Sequence, residues 1–273
     1  MQPYEFIGDW SGQLVTTSIH AGHDLRPDIA DLMVLDEDDR LREEDPFTDA
    51  IGSLMPARVL VHRSRFETDL NRSRDKAVYA RPEDCWGFNV WETGQLPKDV
   101  LARSLEYWDS FYADLAERLD ELAERGPFAI FDVHSYNHRR PGPGQPDESW
   151  EKNPELDLGT GMVDRERFTP VIDALRDCMS AQGFDVRDEI KFFPKQLSQW
   201  VHHRYPGTGC VMTLEFKKTF MDEWTGIPDT ARLNLLAQSV QNAAGPVLAA
   251  LAALPGLPLL DQADLELPNS LAS

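Results

Sequence analysis

The sequence predicts an α/β fold: a three-layer αβα arrangement around a mixed, mostly parallel central sheet. Three observations point to it. Short apolar runs of strand length alternate with helix-length segments of amphipathic pattern. The longest such segment, 97–125, stops at Gly126-Pro127 and leads directly into a new apolar run. No internal repeat or domain-splitting linker divides the 273 residues, a length that suits one domain, 1–273, with its own core.

The elements follow in order. Leu14 to Ile19 reads as a strand with a polar loop after it. The acid-rich stretch 24–47 reads as a short helix and surface loop, and Ala50 to Met55 as another short helix. ARVLVH, 57–62, is a strand candidate, whereas 69–80 reads as loop. In 97–125, Leu101, Leu105, Trp108, Phe111, Tyr112, Leu115, Leu119 and Leu122 recur at spacings of three and four, one face of a helix. FAIFDV, 128–133, is a buried strand that delivers His134-Ser135-Tyr136 at its end. The Pro- and Gly-rich segment 138–161 reads as a long loop of the lid or specificity kind. A helix over 165–182, a strand over 186–192, a short helix over 196–204 and a strand over 209–216 follow. An Ala- and Leu-rich helix, 230–254, closes the pattern, and 255–273 is expected to pack loosely.

Composition narrows the function. With 47 acidic against 27 basic residues the net charge is −20, which argues against nucleic acid or an anionic membrane as a main partner. No segment has the roughly 20 apolar residues of a bilayer span. The N-terminus shows no basic region followed by an apolar stretch, so a secretory signal is not expected. Cys85, Cys178 and Cys210 are odd in number and far apart, which fits a reducing, cytoplasmic setting rather than a disulfide framework.

Four segments carry possible chemistry. His20-Ala-Gly-His23 places two imidazoles three apart on a tight turn, suited to one metal ion or simply to stabilising the turn. His134 comes from a distant strand end, the side from which α/β sheets present ligands; its alternative is a core imidazole bonded to backbone. Arg63 to Arg72 combines arginines with Asn71, a set suited either to gripping a carboxylate or to ordinary surface ion pairs. Glu215 sits inside an apolar strand, where desolvation should raise its pKa and suit it to general base work; the alternative is an edge-strand acid paired with Lys217 or Lys218.

Taken together, SIHAGH (18–23), SRFETDLNRSRD (64–75), FDVHSY (131–136) and TLEFKKTFMDEWTG (213–226) resemble the zinc-carboxypeptidase-type fold, and within it the N-formylglutamate amidohydrolases. The resemblance spans roughly 15–226, with the DLNR and HSY pieces its most specific parts. It implies a single catalytic domain, one Zn2+ ion, and hydrolysis of an amide whose substrate bears a free carboxylate. It makes His20 and His134 zinc ligands. His23 stands where zinc carboxypeptidases place a glutamate and is read as the third ligand, with Asp24 and Asp45 as alternatives. Glu215 takes the general-base position and Arg65 that of the group stabilising the oxyanion. Asn71 and Arg72 fall where the family holds the substrate carboxylate, with Tyr136 lining the pocket.

His138-Arg139-Arg140 follows the metal-binding strand, and Arg139 is read as a further contact for an acidic group on the substrate. His202-His203 reads as an exposed helix face, or else as pocket rim. N-formyl-L-glutamate, cleaved to formate and glutamate, is the leading substrate. The competing readings are a carboxypeptidase or cell-wall amidase on the same fold, and a non-catalytic binding protein.

Overall fold

The computed structural model of the chain describes residues 2–255; of the tail expected to pack loosely, all but Pro255 lies outside them. Among the described residues seven strands form one sheet: β1 (Tyr4–Gly8), β2 (Leu14–Ser18), β3 (Ala57–Val61), β4 (Phe128–Tyr136), β5 (Leu156–Gly159), β6 (Val186–Asp188) and β7 (Gly209–Lys217). Their order is β1-β3-β2-β4-β7-β5-β6. The inner run β3-β2-β4-β7 is parallel, β1 joins antiparallel at one edge, and β5 joins β7 antiparallel on the other side. The sheet is therefore mixed and mostly parallel, as the sequence predicts.

Helices cover both faces. On one side α3 (Thr48–Ile51), α5 (Arg165–Ala181) and α7 (Thr230–Ala252) pack on Ala129, Phe131 and Val133 of β4 and on Met212 and Leu214 of β7. On the other, α4 (Lys98–Arg125) and α6 (Gln196–Arg204) cover Phe128, Ile130 and Val211. The α4 residues Phe111, Leu115, Leu119 and Leu122 are fully buried, each worth about 1.5–3 kcal/mol of apolar transfer. Two short helices, α1 (Pro27–Ala30) and α2 (Glu37–Glu43), lie in the acid-rich segment.

The alternation of side chains along β4 decides where the chemistry goes. Phe128 and Ile130 face α4 and α6, and the same face continues with Asp132, His134 and Tyr136. Strand β7 repeats the scheme with Val211, then Thr213 and Glu215. One face of two neighbouring strands thus turns from apolar to polar at the C-terminal end of the sheet, where open α/β sheets place ligands.

Three elements differ from expectation. Strand β1 was not foreseen: it is a five-residue edge strand whose Tyr4 and Phe6 pack against the α4 core. Strand β5 lies inside the expected loop 138–161, too short and too polar at Asp157 to show an apolar run. The strand expected over 186–192 ends at Asp188, because the backbone N–H groups of Ile190, Lys191 and Phe192 all turn onto the buried Asp157 carboxylate, at 2.8, 2.8 and 2.9 Å.

Candidate active site

Because β2, β4 and β7 run parallel, their C-terminal ends converge on one edge. His20 lies just beyond β2, His134 near the end of β4, and Glu215 directly across from His134 in the β4–β7 register. The two rings meet: His20 Nδ1 is 3.1 Å from His134 Nδ1. The third member is Asp45, whose Oδ2 lies 2.9 Å from His134 Nδ1 and 3.3 Å from His20 Nδ1. All three residues are buried, and their ligand atoms lie within 4.8 Å of one another.

Each histidine has an acid behind it. His20 Nε2 is 2.7 Å from Asp69 Oδ1, and His134 Nε2 is 3.0 Å from Asp132 Oδ2. Asp132 also accepts from Thr17 Oγ1 at 2.6 Å. With each Nε2–H donated to its carboxylate, both Nδ1 lone pairs point at one place beside Asp45. Imidazoles braced in this way by carboxylates are the usual outer support of metal-ligating histidines. Two neutral nitrogens and one carboxylate oxygen are a donor set that fits a divalent cation such as Zn2+.

The electrostatics agree that the spot is built for positive charge. Burial works against ionisation of Asp45, yet hydrogen bonds with His134 and His20 hold its carboxyl below the ordinary range. Burial also opposes protonation of His134, but the Asp132 charge and hydrogen bond, then Asp45, push it well above the ordinary imidazole value. Glu215 moves the other way. Desolvation raises its pKa, only partly offset by His134, as a carboxyl poised to accept and return a proton requires.

Asp45 reaches the group through a deliberately held loop. Its backbone N–H bonds His20 O at 3.0 Å. The buried Lys218, just past β7, donates from Nζ to Arg42 O and Glu44 O at 2.6 and 2.7 Å, clamping the chain on either side of Glu43. After Pro46, Phe47 takes a left-handed conformation with φ 67°, which costs a non-glycine residue about 1–2 kcal/mol. It turns the chain so that Thr48 N–H and Oγ1 close onto Asp45 O.

His23 is placed elsewhere, so Asp45 and not His23 completes the group. The reason lies in the turn. Gly22 packs so closely on the exit of β3 that a Cβ there would sit 2.2 Å from the His62 carbonyl carbon. From that point Asp24 runs beside Arg63 as a short parallel bridge, and His23 faces outward. Its Nδ1 lies 2.6 Å from the buried Glu44, and its Nε2 2.9 Å from Arg40 Nη2. Asp24, the other alternative, likewise lies outside the group.

The cleft around the group is small, a cavity of about 70 Å³. Arg65, Asn71, Tyr136 and Glu215 line it, together with Arg140, Lys195 and Lys218. Arg65 is buried, donates to Asp69 Oδ2 at 2.8 Å and lies 4.9 Å above the Trp86 ring. Asn71 accepts from Leu197 N–H through Oδ1 at 3.1 Å. Tyr136 presents its ring, while its hydroxyl donates to Pro154 O. Two expected contacts are not among the lining residues. Arg72 turns to Asp84 O, at 3.2 Å, and over the Tyr79 ring. Arg139 pairs with Asp222 at 2.9 Å, and its neighbour Arg140 reaches the cleft instead, held by Glu43 at 2.9 and 3.1 Å. Of the pair read as an exposed helix face, His203 is exposed, whereas His202 is half-buried and its Nε2 accepts from Val211 N–H.

Sequence reasoning missed Asp69, Asp132, Lys195 and Lys218. Asp132 had a readable signal, an acid in an apolar strand two residues before His134. Asp69 was visible only as part of DLNR, Lys218 only as a possible partner for Glu215, where it binds Arg42 O and Glu44 O instead, and Lys195 carried no signal.

A family model described as N-formylglutamate amidohydrolase matches residues 12–221. The chain belongs to the N-formylglutamate amidohydrolase family. This is a hydrolase family acting on amide bonds. Among solved structures, the N-formylglutamate amidohydrolase from Ralstonia eutropha JMP134 is similar over 92% of this chain and 97% of its own, at TM-score 0.70 and 16% identity. A gene product of Agrobacterium tumefaciens is similar over 90% of this chain and 96% of its own, at TM-score 0.65 and 15% identity. At these identities the likeness speaks for the fold. No curated protein matches the chain in sequence.

Proposed function

We propose that this member of the family is a metal-dependent amidohydrolase acting on a small N-acyl amino acid, with N-formyl-L-glutamate as substrate and formate and glutamate as products. The observation that carries the reading is the meeting of His20, Asp45 and His134 beside Glu215 in one cleft.

His20, Asp45 and His134 would hold one Zn2+ ion, with Asp69 and Asp132 fixing the two rings. When bound, such an ion polarises a carbonyl and lowers the pKa of water, which makes attack feasible near neutral pH. Glu215 takes a proton from the attacking water and gives it to the leaving nitrogen as the C–N bond breaks. Arg65 faces the cleft with a permanent charge, suited to the negative charge that develops on the carbonyl oxygen. Its Asp69 partner keeps the guanidinium in place but also tempers its charge. Asn71 and the Tyr136 ring orient the amino acid, so that the amide is presented in one register.

The test pairs a metal assay with a hydrolysis screen. Freshly purified protein, or protein reconstituted with Zn2+, should carry one ion per chain and release formate from N-formyl-L-glutamate faster than acetate from the N-acetyl analogue. No bound metal and no rescue by added Zn2+ would sink the reading. Preferential cleavage of dipeptides would move it to the carboxypeptidase alternative.

A further inference from the structure

Among the cations lining the cleft, all but one are already engaged. Arg65 is paired with Asp69, Arg140 with Glu43, and Lys218 with two backbone carbonyls. Lys195 has no ion pair and no side-chain hydrogen bond among the described residues, although it lines the same cleft as Glu215. It is the residue immediately before α6, so the positive end of that nine-residue helix lies at its back. The start of α6 is tied to the DLNR segment, with Leu197 N–H donating to Asn71 Oδ1 and Gln196 N–H to Asn71 O. Because Oδ1 is used inward, the Asn71 amide has its Nδ2 donor left for the cleft. Partial burial, then the charges of Arg72 and Arg65, works against the positive charge of Lys195, with Asp69 and Glu215 offsetting part of this. Lys195 is thus an exposed, unpaired ammonium at the cleft beside an unused amide donor, a pair of donors suited to a carboxylate.

We propose that Lys195, with Asn71 Nδ2, seats a carboxylate of the substrate, and so sets specificity in the place that Arg72 leaves by turning away. The inference deepens the amidohydrolase reading, since it names a residue that selects acidic substrates at that same site. Lys195 is a binding residue here, with no part in proton transfer. The substrate has two carboxylates, one beside the amide and one at the end of its side chain, and the test distinguishes them.

The experiment is calorimetric titration of the Zn2+-reconstituted full chain with L-glutamate, L-glutamine and L-isoglutamine, alongside steady-state hydrolysis of the N-formyl derivatives. Wild type, Lys195→Ala and Lys195→Arg are compared, with thermal melts to establish that each folds. Loss of one charge-assisted contact should weaken glutamate binding about tenfold or more in Lys195→Ala. Lys195→Arg should restore most of it, and KM should rise while kcat changes little. Of glutamine and isoglutamine, each of which keeps one carboxylate, the ligand least affected by Lys195→Ala identifies the carboxylate contacted, the side-chain one for glutamine and the main-chain one for isoglutamine. Glutamate binding within threefold of wild type in a folded Lys195→Ala overturns the proposal, as does an equal loss for all three ligands. So does a wild type that binds none of them. Lys195-dependent glutamate binding without hydrolysis would uphold the anion site and overturn only the amidohydrolase reading.

Discussion

Two histidines three residues apart, His20 and His23, end in opposite environments. His20 is buried, braced by Asp69 through one nitrogen and turned to Asp45 and His134 through the other. His23 is one-third exposed and caught between Glu44, Arg40 and Glu37. Both have acidic neighbours, so acidity alone does not make a metal site. What differs is convergence. Around His20 the free nitrogen faces another free nitrogen and one carboxylate oxygen, whereas around His23 each nitrogen already has a partner of its own. An ordinary ion-pair network and a candidate metal centre thus share one short turn, separated by Gly22.

The comparison can be broken most directly at the centre. His20→Ala should lose the bound metal and bring amide hydrolysis to background, while His23→Ala keeps a full complement of metal; equal metal loss in both would erase the distinction. Glu215→Gln should lower kcat by about 10²–10⁴ while leaving metal content as in wild type, since it removes a proton carrier and not a ligand. Asp132→Asn tests the bracing. It should weaken Zn2+ affinity by about 10–100-fold, measured by competition with a chelator, with the cleft otherwise intact.

The smallest effect belongs to His23 and is a matter of pH. Its hydrogen bond to Glu44 raises its pKa in the folded state, against the opposing effect of burial. A group with a raised folded pKa contributes stability that is full below its unfolded pKa, about 6.5, and is lost as pH rises through the folded value. His23→Gln should therefore lower Tm by about 2–4 °C at pH 6 and by progressively less toward alkaline pH. A pH-independent difference would mean that His23 stabilises by packing and not by charge.

The same contrast shows how far the site was legible. His20, His134 and Glu215 could be read because each interrupts or ends an apolar strand, where a polar side chain is costly unless used. Asp45 could not, because it lies in DEDDRLREED, 36–45, where every other acid is equally plausible from composition. Only the His20 carbonyl, the Lys218 clamp and the left-handed Phe47 single it out. His23 was favoured by spacing, but spacing along a turn says nothing about which way each ring points. The arginines failed in the same manner. Arg65 and Arg72 are equivalent as letters in one motif, yet one is buried against Trp86 and the other turned to Asp84 O.

The fold divides along the same line. Helix α4 was readable because its burial repeats at about 3.6 residues, and strands β4 and β7 because each is a long, almost continuously buried apolar run. Strands β1 and β5 were not, since an edge strand and a four-residue strand with a buried acid carry too little pattern. By itself the sequence determined the layered α/β architecture, the polar ends of its central strands and the membership of an amidohydrolase family. Only the tertiary structure decided which acid joins the two histidines, which histidine is left out and which cation of the cleft has no partner among the described residues. Periodic burial is a local property written into the chain. The direction of a side chain on a loop depends instead on contacts between segments tens of residues apart, and those exist only once the sheet has brought the loops together.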